Sequence, residues 1–327
     1  MSALQSVLAR FPASARPRSE PTSLGNAGGL SGSKLWRFET SRGMLVARLW
    51  PLEPTERPRI EQMHRWIARA DRLRFVPQPL QAQDGRTVLE ENGRLWEVVP
   101  WMPGKPEINQ PPPAARVLAA FSALAEFHIA MAEITPRATS PGLVARLTEI
   151  EMLLARNLIT WRSLVSRTPA DESRELAILW LDLAARIAPR LVPNLREDAR
   201  KLVSIQPVLR DARPEHFLFE EDRVTGLVDF GAMGLDMVSI DLARLFGEWF
   251  TLEDQGIRKQ AISAYEQVRP LTIEERERVA IFERSGDLLR GARWLQWHFV
   301  DHRSFEDPKA VSRGLSRSIM RLRHHEL

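Results

Sequence analysis

The sequence predicts an α+β chain in two lobes, a small antiparallel-sheet lobe with one helix followed by a larger, mostly helical lobe. Three observations carry this expectation. Residues 1–100 alternate short β-prone runs with glycine turns. A proline-rich boundary follows, Pro100-Trp101-Met102-Pro103-Gly104 and then Pro111-Pro112-Pro113. From Ala114 onward the period is helical, broken only by one short hairpin. The expected division is 1–103 and 104–327, with 1–18 as a leading segment. A repeating βαβ pattern is missing from the sequence, which argues against a doubly wound dinucleotide fold.

Each element has its own justification. Met1 to Ala15 lacks the charged start and unbroken apolar core of an export signal and reads as a short leading helix. Gly25-Asn26-Ala27-Gly28-Gly29-Leu30-Ser31-Gly32 is a glycine-rich turn, followed by strands over Lys34–Phe38 and Met44–Trp50. Ile60, Met63, Ile67 and Ala70 recur at helical spacing, and Pro58 sits where a helix start tolerates it. Asp84-Gly85 and Asn92-Gly93 mark turns around strands at Thr87–Glu90 and Leu95–Val99. Further on, helices are expected near 143–165, 171–190, 254–268, 272–298 and 308–323.

Composition narrows the function classes. The chain has 327 residues, enough to bury a large core, and no cysteine, which excludes disulfides and thiolate chemistry. Net charge is +4 and the sequence pI about 9.9, a basicity resting on arginine, since lysine occurs only at 34, 105, 201, 259 and 309. Acids are nearly as numerous as bases, so the pI is no argument for nucleic-acid binding. No run is read as a membrane span. The expectation is a cytoplasmic protein with neither nucleic acid nor membrane as partner, its oligomeric state open.

The most informative feature is a pair of aspartates. Asp211, in Leu209-Arg210-Asp211, and Asp229, in Val228-Asp229-Phe230-Gly231, are separated by a hairpin that runs through Phe217–Phe219, a turn at Glu220–Arg223 and Val224–Val228. That arrangement is expected to bring two carboxylates from strand ends to one mouth. Phosphoryl transfer of the kinase type uses such a pair, one acid orienting the attacking hydroxyl and one holding magnesium.

These stretches resemble the aminoglycoside phosphotransferase and choline kinase-like family, which shares the two-lobe protein-kinase-like fold. The resemblance is clearest over residues 205–247, where Ile240-Asp241-Leu242-Ala243-Arg244-Leu245 looks like the family's aspartate-led helix start, and is fair over 20–104. It implies ATP and Mg2+ as cofactors, with Mn2+ as a second metal, and a small-molecule substrate carrying a hydroxyl. It implies Asp211 as the catalytic acid and Asp229 as the metal ligand. His216 stands where the family has a metal-binding asparagine; ligation, a hydrogen bond to a metal-bound water, or bracing of the loop all stay open. Arg48 occupies the position of the phosphate-contacting lysine, an exchange that keeps charge but changes shape. Lys34 is the alternative. Glu61 is the candidate ion-pair partner on the helix, Gly28, Gly29 and Gly32 would present amides to phosphate, and Val99 and Trp101 would form the adenine-reading hinge.

Plainer roles are expected elsewhere. His128 reads as a buried core histidine, Asp241 and Arg244 as structural supports of the catalytic loop, and the Arg290-Trp294-Trp297-Asp301 stripe as core more than acceptor pocket. The leading functional expectation is a small-molecule kinase. The alternative is a degenerate kinase fold that binds nucleotide or a partner without turnover, favoured by the changes at Arg48 and His216.

Overall fold

In the computed structural model, which describes residues 2–25, 32–52, 56–107, 111–132, 137–250, 254–305 and 307–324, the chain forms two compact units. One is Met1–Ala132 with Pro214–Met233; the other is Glu133–Arg213 with Gly234–Leu327. This division differs from the expected boundary at 103/104, because the hairpin after Asp211 pairs with Lys105–Pro106 and joins the first unit.

The first unit contains α1 (Ala3–Ala9), β1 (Thr22–Gly25), β2 (Lys34–Thr40), β3 (Gly43–Leu49), α2 (Arg57–Ile67), β4 (Leu89–Glu91) and β5 (Arg94–Pro100). The strands form one antiparallel sheet in the order β1-β2-β3-β5-β4. The Asn92-Gly93 signal holds: both residues have positive φ, as a two-residue hairpin between Glu91 and Arg94 requires. The leading segment is a helix with a Ser2/Gln5 capping box. Its Val7 and Leu8, with Phe11 beyond, complete the core made by Phe38, Leu45, Leu89 and Val98.

Helix α2 buries Ile60, Met63, His64 and Ile67, the predicted period with a histidine on it. A second, three-stranded sheet joins Lys105–Pro106, Phe217–Glu220 and Arg223–Leu227 in that order. Helix α3 (Ala114–Met131) is the one described helix long and apolar enough to cross a membrane. Its Val117, Phe121, Leu124, Phe127 and Met131 are fully buried inside this unit, so its apolarity is that of a core helix.

The second unit is helical around a two-stranded ladder, Gln206–Val208 with Gly234–Asp236. The longest helix runs Glu172–Arg200, through Pro189 and Pro193. The sequence reading stops it near 190 because interior proline removes a hydrogen bond and crowds the preceding turn. Burial of Ile187, Val192 and Leu195 along the same face outweighs that cost. Trp180, fully buried, donates from Nε1 to Ser318 Oγ at 3.1 Å and ties this helix to Ala310–His324.

Gly104 shows how tightly the hairpin is seated. Its φ is +95°, and a Cβ there would stand 2.5 Å from Thr225 Oγ1 and 2.8 Å from the Phe219 carbonyl oxygen. Gly104→Ala is expected to destabilise the protein by about 1–3 kcal/mol, through strain at positive φ and overpacking against backbone, measured as a lower urea midpoint.

Candidate active site

The Asp211 loop is built by a buried acid. After the strand Gln206–Val208, the chain turns through Arg210 at φ +64°. Leu209 N and Arg210 N donate to Asp241 Oδ2 and Oδ1 at 2.7 and 2.6 Å. Asp241 has no solvent exposure and stands in the first turn of the helix Ser239–Trp249. One turn later Arg244 donates from Nε to Asp211 Oδ1 at 2.9 Å and from Nη1 to Glu248 at 2.5 Å. Asp241 fixes the loop backbone and Arg244 fixes the side chain, while the Asp211 carboxylate keeps 35% of its side-chain surface open.

Two further acids serve this loop. Burial raises the Glu248 carboxyl, but the charges of Arg244, Arg290 and Arg317 outweigh it and hold the group below the ordinary carboxylate range. Asp236 shows the opposite balance: burial pushes it up despite donation from Ser140 Oγ at 2.5 Å, Gly142 N at 2.7 Å and Met237 N at 2.9 Å.

Asp229 belongs to the first unit, described here by itself. It closes the hairpin in the left-handed region, φ 60° and ψ 67°, a conformation costly for a residue with a Cβ. Its Oδ1 accepts from Arg48 Nη2 at 3.2 Å, and its Oδ2 lies 3.8 Å from His216 Nε2. Burial raises its carboxyl, yet Arg48 and then His216 hold it below the usual value. A Cβ on Gly231 would come within 3.3 Å of Asp229 Oδ1 and 3.4 Å of Arg48 Nη2, so the close approach needs glycine. Arg59 Nη2 donates to the Gly231 carbonyl at 2.6 Å, tying α2 to this turn.

Arg48 does not pair with Glu61. Glu61 faces Arg57, four residues earlier on the same exposed helix face, at 3.8 Å. The acid that meets Arg48 on its own sheet is Glu97, directly opposite it in the β3–β5 ladder, with Nη1 to Oε1 at 4.0 Å. Glu97 is buried and sits 2.6 Å from His64 Nε2, whose Nδ1 is 2.7 Å from Thr87 Oγ1. The sequence signal for this chain of contacts was a histidine on the apolar face of α2, which demands a buried polar partner. Arg48 also stacks 4.1 Å from the Trp50 ring centre and donates from Nε to Ser33 Oγ at 3.3 Å.

The remaining predicted positions divide. Lys34 pairs with Leu49, so pleat alternation puts it on the opposite sheet face from Arg48, and it is no substitute. Gly28 and Gly29 lie outside the described residues; Gly32 has φ +73°. Val99 stands opposite Val46, and Trp101 N donates to the Met44 carbonyl, with the Arg37 guanidinium 5.2 Å from its ring centre. His128 is fully buried, as expected. Trp294, Trp297 and Phe305 form an aromatic cluster, and Arg290 pairs with Asp287 and Glu248.

Among the described residues no three metal-ligating side chains converge. The donor set fits a hard divalent cation held by the Asp229 carboxylate, with phosphate and water oxygens completing its shell. His216 does not fit as a magnesium ligand, because imidazole nitrogen prefers softer metals, although manganese accepts it more readily.

Residues 24–282 match the Phosphotransferase enzyme family, and the chain belongs to that family. It is 24% identical over 300 residues to a homoserine kinase of Beijerinckia indica, covering 87% of this chain and 84% of that one. Among solved structures it resembles an amicoumacin kinase bound to AMP-PNP and Ca2+ (TM-score 0.65, 13% identity, 97% and 92% of the two chains). It also resembles a microcompartment-associated aminopropanol kinase (TM-score 0.63, 16% identity, 98% and 94%). The fold is the protein-kinase-like one expected from the motifs.

Two predictions follow from these contacts. Asp241→Ala removes the acceptors of two backbone N–H groups, and at about 1–3 kcal/mol per orphaned donor it is expected to cost about 2–6 kcal/mol by chemical denaturation. Because the Asp229 carboxyl is depressed in the folded state, its stabilising contribution is present above the unfolded value near 3.8 and fades as pH falls through the lower folded value. The melting difference between wild type and Asp229→Asn, small for a half-exposed pair at about 0–1 kcal/mol, is therefore expected at pH 6–7 and should vanish on acidification below 3.

Proposed function

We propose that the chain transfers the γ-phosphoryl group of ATP to the hydroxyl of a small molecule. The observation that carries the reading is Asp211, half open and held at both backbone and side chain by Asp241 and Arg244. In the proposed reaction the acceptor oxygen forms a bond to the γ-phosphorus, the bond to the bridging oxygen breaks, ADP leaves, and Asp211 orients the hydroxyl and takes its proton. Asp229 holds the magnesium ion, which neutralises phosphate charge when bound, and His216 braces it or joins the shell when manganese is used. Arg48 faces the phosphates; Gly28, Gly29, Gly32, Val99 and Trp101 line the nucleotide. Glu61 has no part in this scheme, and Glu97 takes its place beside Arg48.

Names of similar proteins support a small acceptor: homoserine and aminopropanol kinases by their names act on short hydroxylated amines. A non-catalytic reading is favoured by one feature, that each key acid already carries an arginine, Arg48 on Asp229 and Arg244 on Asp211. ADP release across a panel of short hydroxy compounds separates the two. The kinase reading expects Asp211→Asn to lose about 10²–10⁴-fold in turnover while calorimetry still finds Mg-ATP binding, and Asp229→Ala to lose that binding. Nucleotide binding with no Asp211-dependent turnover for any acceptor would establish the binding module.

A further inference from the structure

Within the second unit, beside the residues that hold Asp211, one cation is left over. Arg146, on the helix Pro141–Met152, lays its guanidinium 5.0 Å from the Phe282 ring centre. It makes no ion pair, and its Nε is buried with no hydrogen-bond partner. Its arginine neighbours are already committed, Arg244 to Asp211 and Glu248, and Arg290 to Asp287 and Glu248. Burial lowers the Arg146 guanidinium to about 10; Asp236 opposes the shift, and the like charges of Arg290 and Arg244 add to it. The group stays charged at neutral pH, desolvated and without a counter-ion.

Such a cation is costly unless an anion completes it. Guanidinium presents a planar fork whose natural complement is a carboxylate held by two parallel hydrogen bonds. One uncommitted fork matches one planar monoanion. We propose that Arg146 anchors the carboxylate of the phosphoryl acceptor, which makes the substrate class a short hydroxy acid or hydroxy amino acid. This rests on the phosphotransferase reading and deepens it: Arg146 selects the acceptor, while Asp211, in the same unit and linked to the shared arginine field through Arg244, acts on its hydroxyl.

The test is binding first and turnover second, on the full chain as wild type, Arg146→Met and Arg146→Lys. The probes are L-homoserine, L-serine and D-glycerate, with ethanolamine and 3-aminopropan-1-ol as carboxylate-free counterparts, and inorganic phosphate as a separate anion. At least one carboxylate is expected to raise the wild-type Tm and to bind tenfold or more weakly to Arg146→Met, with partial retention in Arg146→Lys. The carboxylate-free probes should bind the variants and wild type alike. Without ligand, Arg146→Met should melt at or above wild type, since it removes an unpaired charge and keeps the contact with Phe282.

A lower melting point with unchanged carboxylate affinity would mark Arg146 as structural and overturn the proposal. So would wild type that binds no carboxylate, binds the carboxylate-free probes as tightly, or responds to phosphate alone. Carboxylate binding that depends on Arg146 but never yields ADP would keep the subsite and sink the kinase reading. Turnover of a carboxylate-free acceptor that ignores Arg146 would do the reverse.

Discussion

A carboxylate with no access to water must find its hydrogen bonds inside the protein, and Asp241 finds them in the backbone of the loop that carries Asp211. Much of the second unit follows from this constraint. The helix Ser239–Trp249 has to begin where Asp241 can reach Leu209 and Arg210, and that start places Arg244 against Asp211 and Glu248 one turn apart. Asp236 and Asp287 are equally buried; Asp236 is satisfied by Ser140 and two backbone amides, Asp287 by Arg290 and Arg321. The helical unit is thus registered by buried acids as well as by apolar packing, and a buried acid tolerates less displacement than a leucine.

Arginine where lysine would serve reorganises the first unit in a similar way. The Arg48 fork reaches Asp229 with one nitrogen, Ser33 with another and Glu97 with the third, while its plane stacks on Trp50. An ammonium group has neither the plane nor the span for this set. The strained turn at Asp229 gains a fixed cation, and Gly231 keeps the space free that the approach needs.

The fold was legible where local chemistry dominates. Asn92-Gly93 dictated its hairpin, Ile60, Met63 and Ile67 their helix face, and the Asp211 and Asp229 stretches their loops, because φ requirements and periodicity are written in a few adjacent residues. The helix through Pro189 and Pro193 was misread at its end because proline is a local signal and the burial that overrides it is tertiary. The partner of Arg48 was misplaced for the same reason. Glu61 sits at a plausible spacing along the chain, whereas Glu97 is adjacent only once β3 and β5 have paired, and the demand of His64 for a polar neighbour names no particular one. Arg146 carried no signal at all: an arginine on a helix looks solvated until the ring of Phe282 is seen beside it.

Glu97 has one more implication. An acid borne by a mobile helix can be withdrawn from its cation by moving that helix, and a protein so built can be turned down without losing its fold. Here the acid facing Arg48 is fixed by the strand ladder itself, and α2 supplies only His64, behind it. Shifting α2 would disturb the histidine and leave Arg48 facing Glu97. A cation anchored in the sheet is ready as soon as the chain has folded, which leaves control of such a protein to its abundance and its ligands, and gives a helix-borne gate nothing to pull.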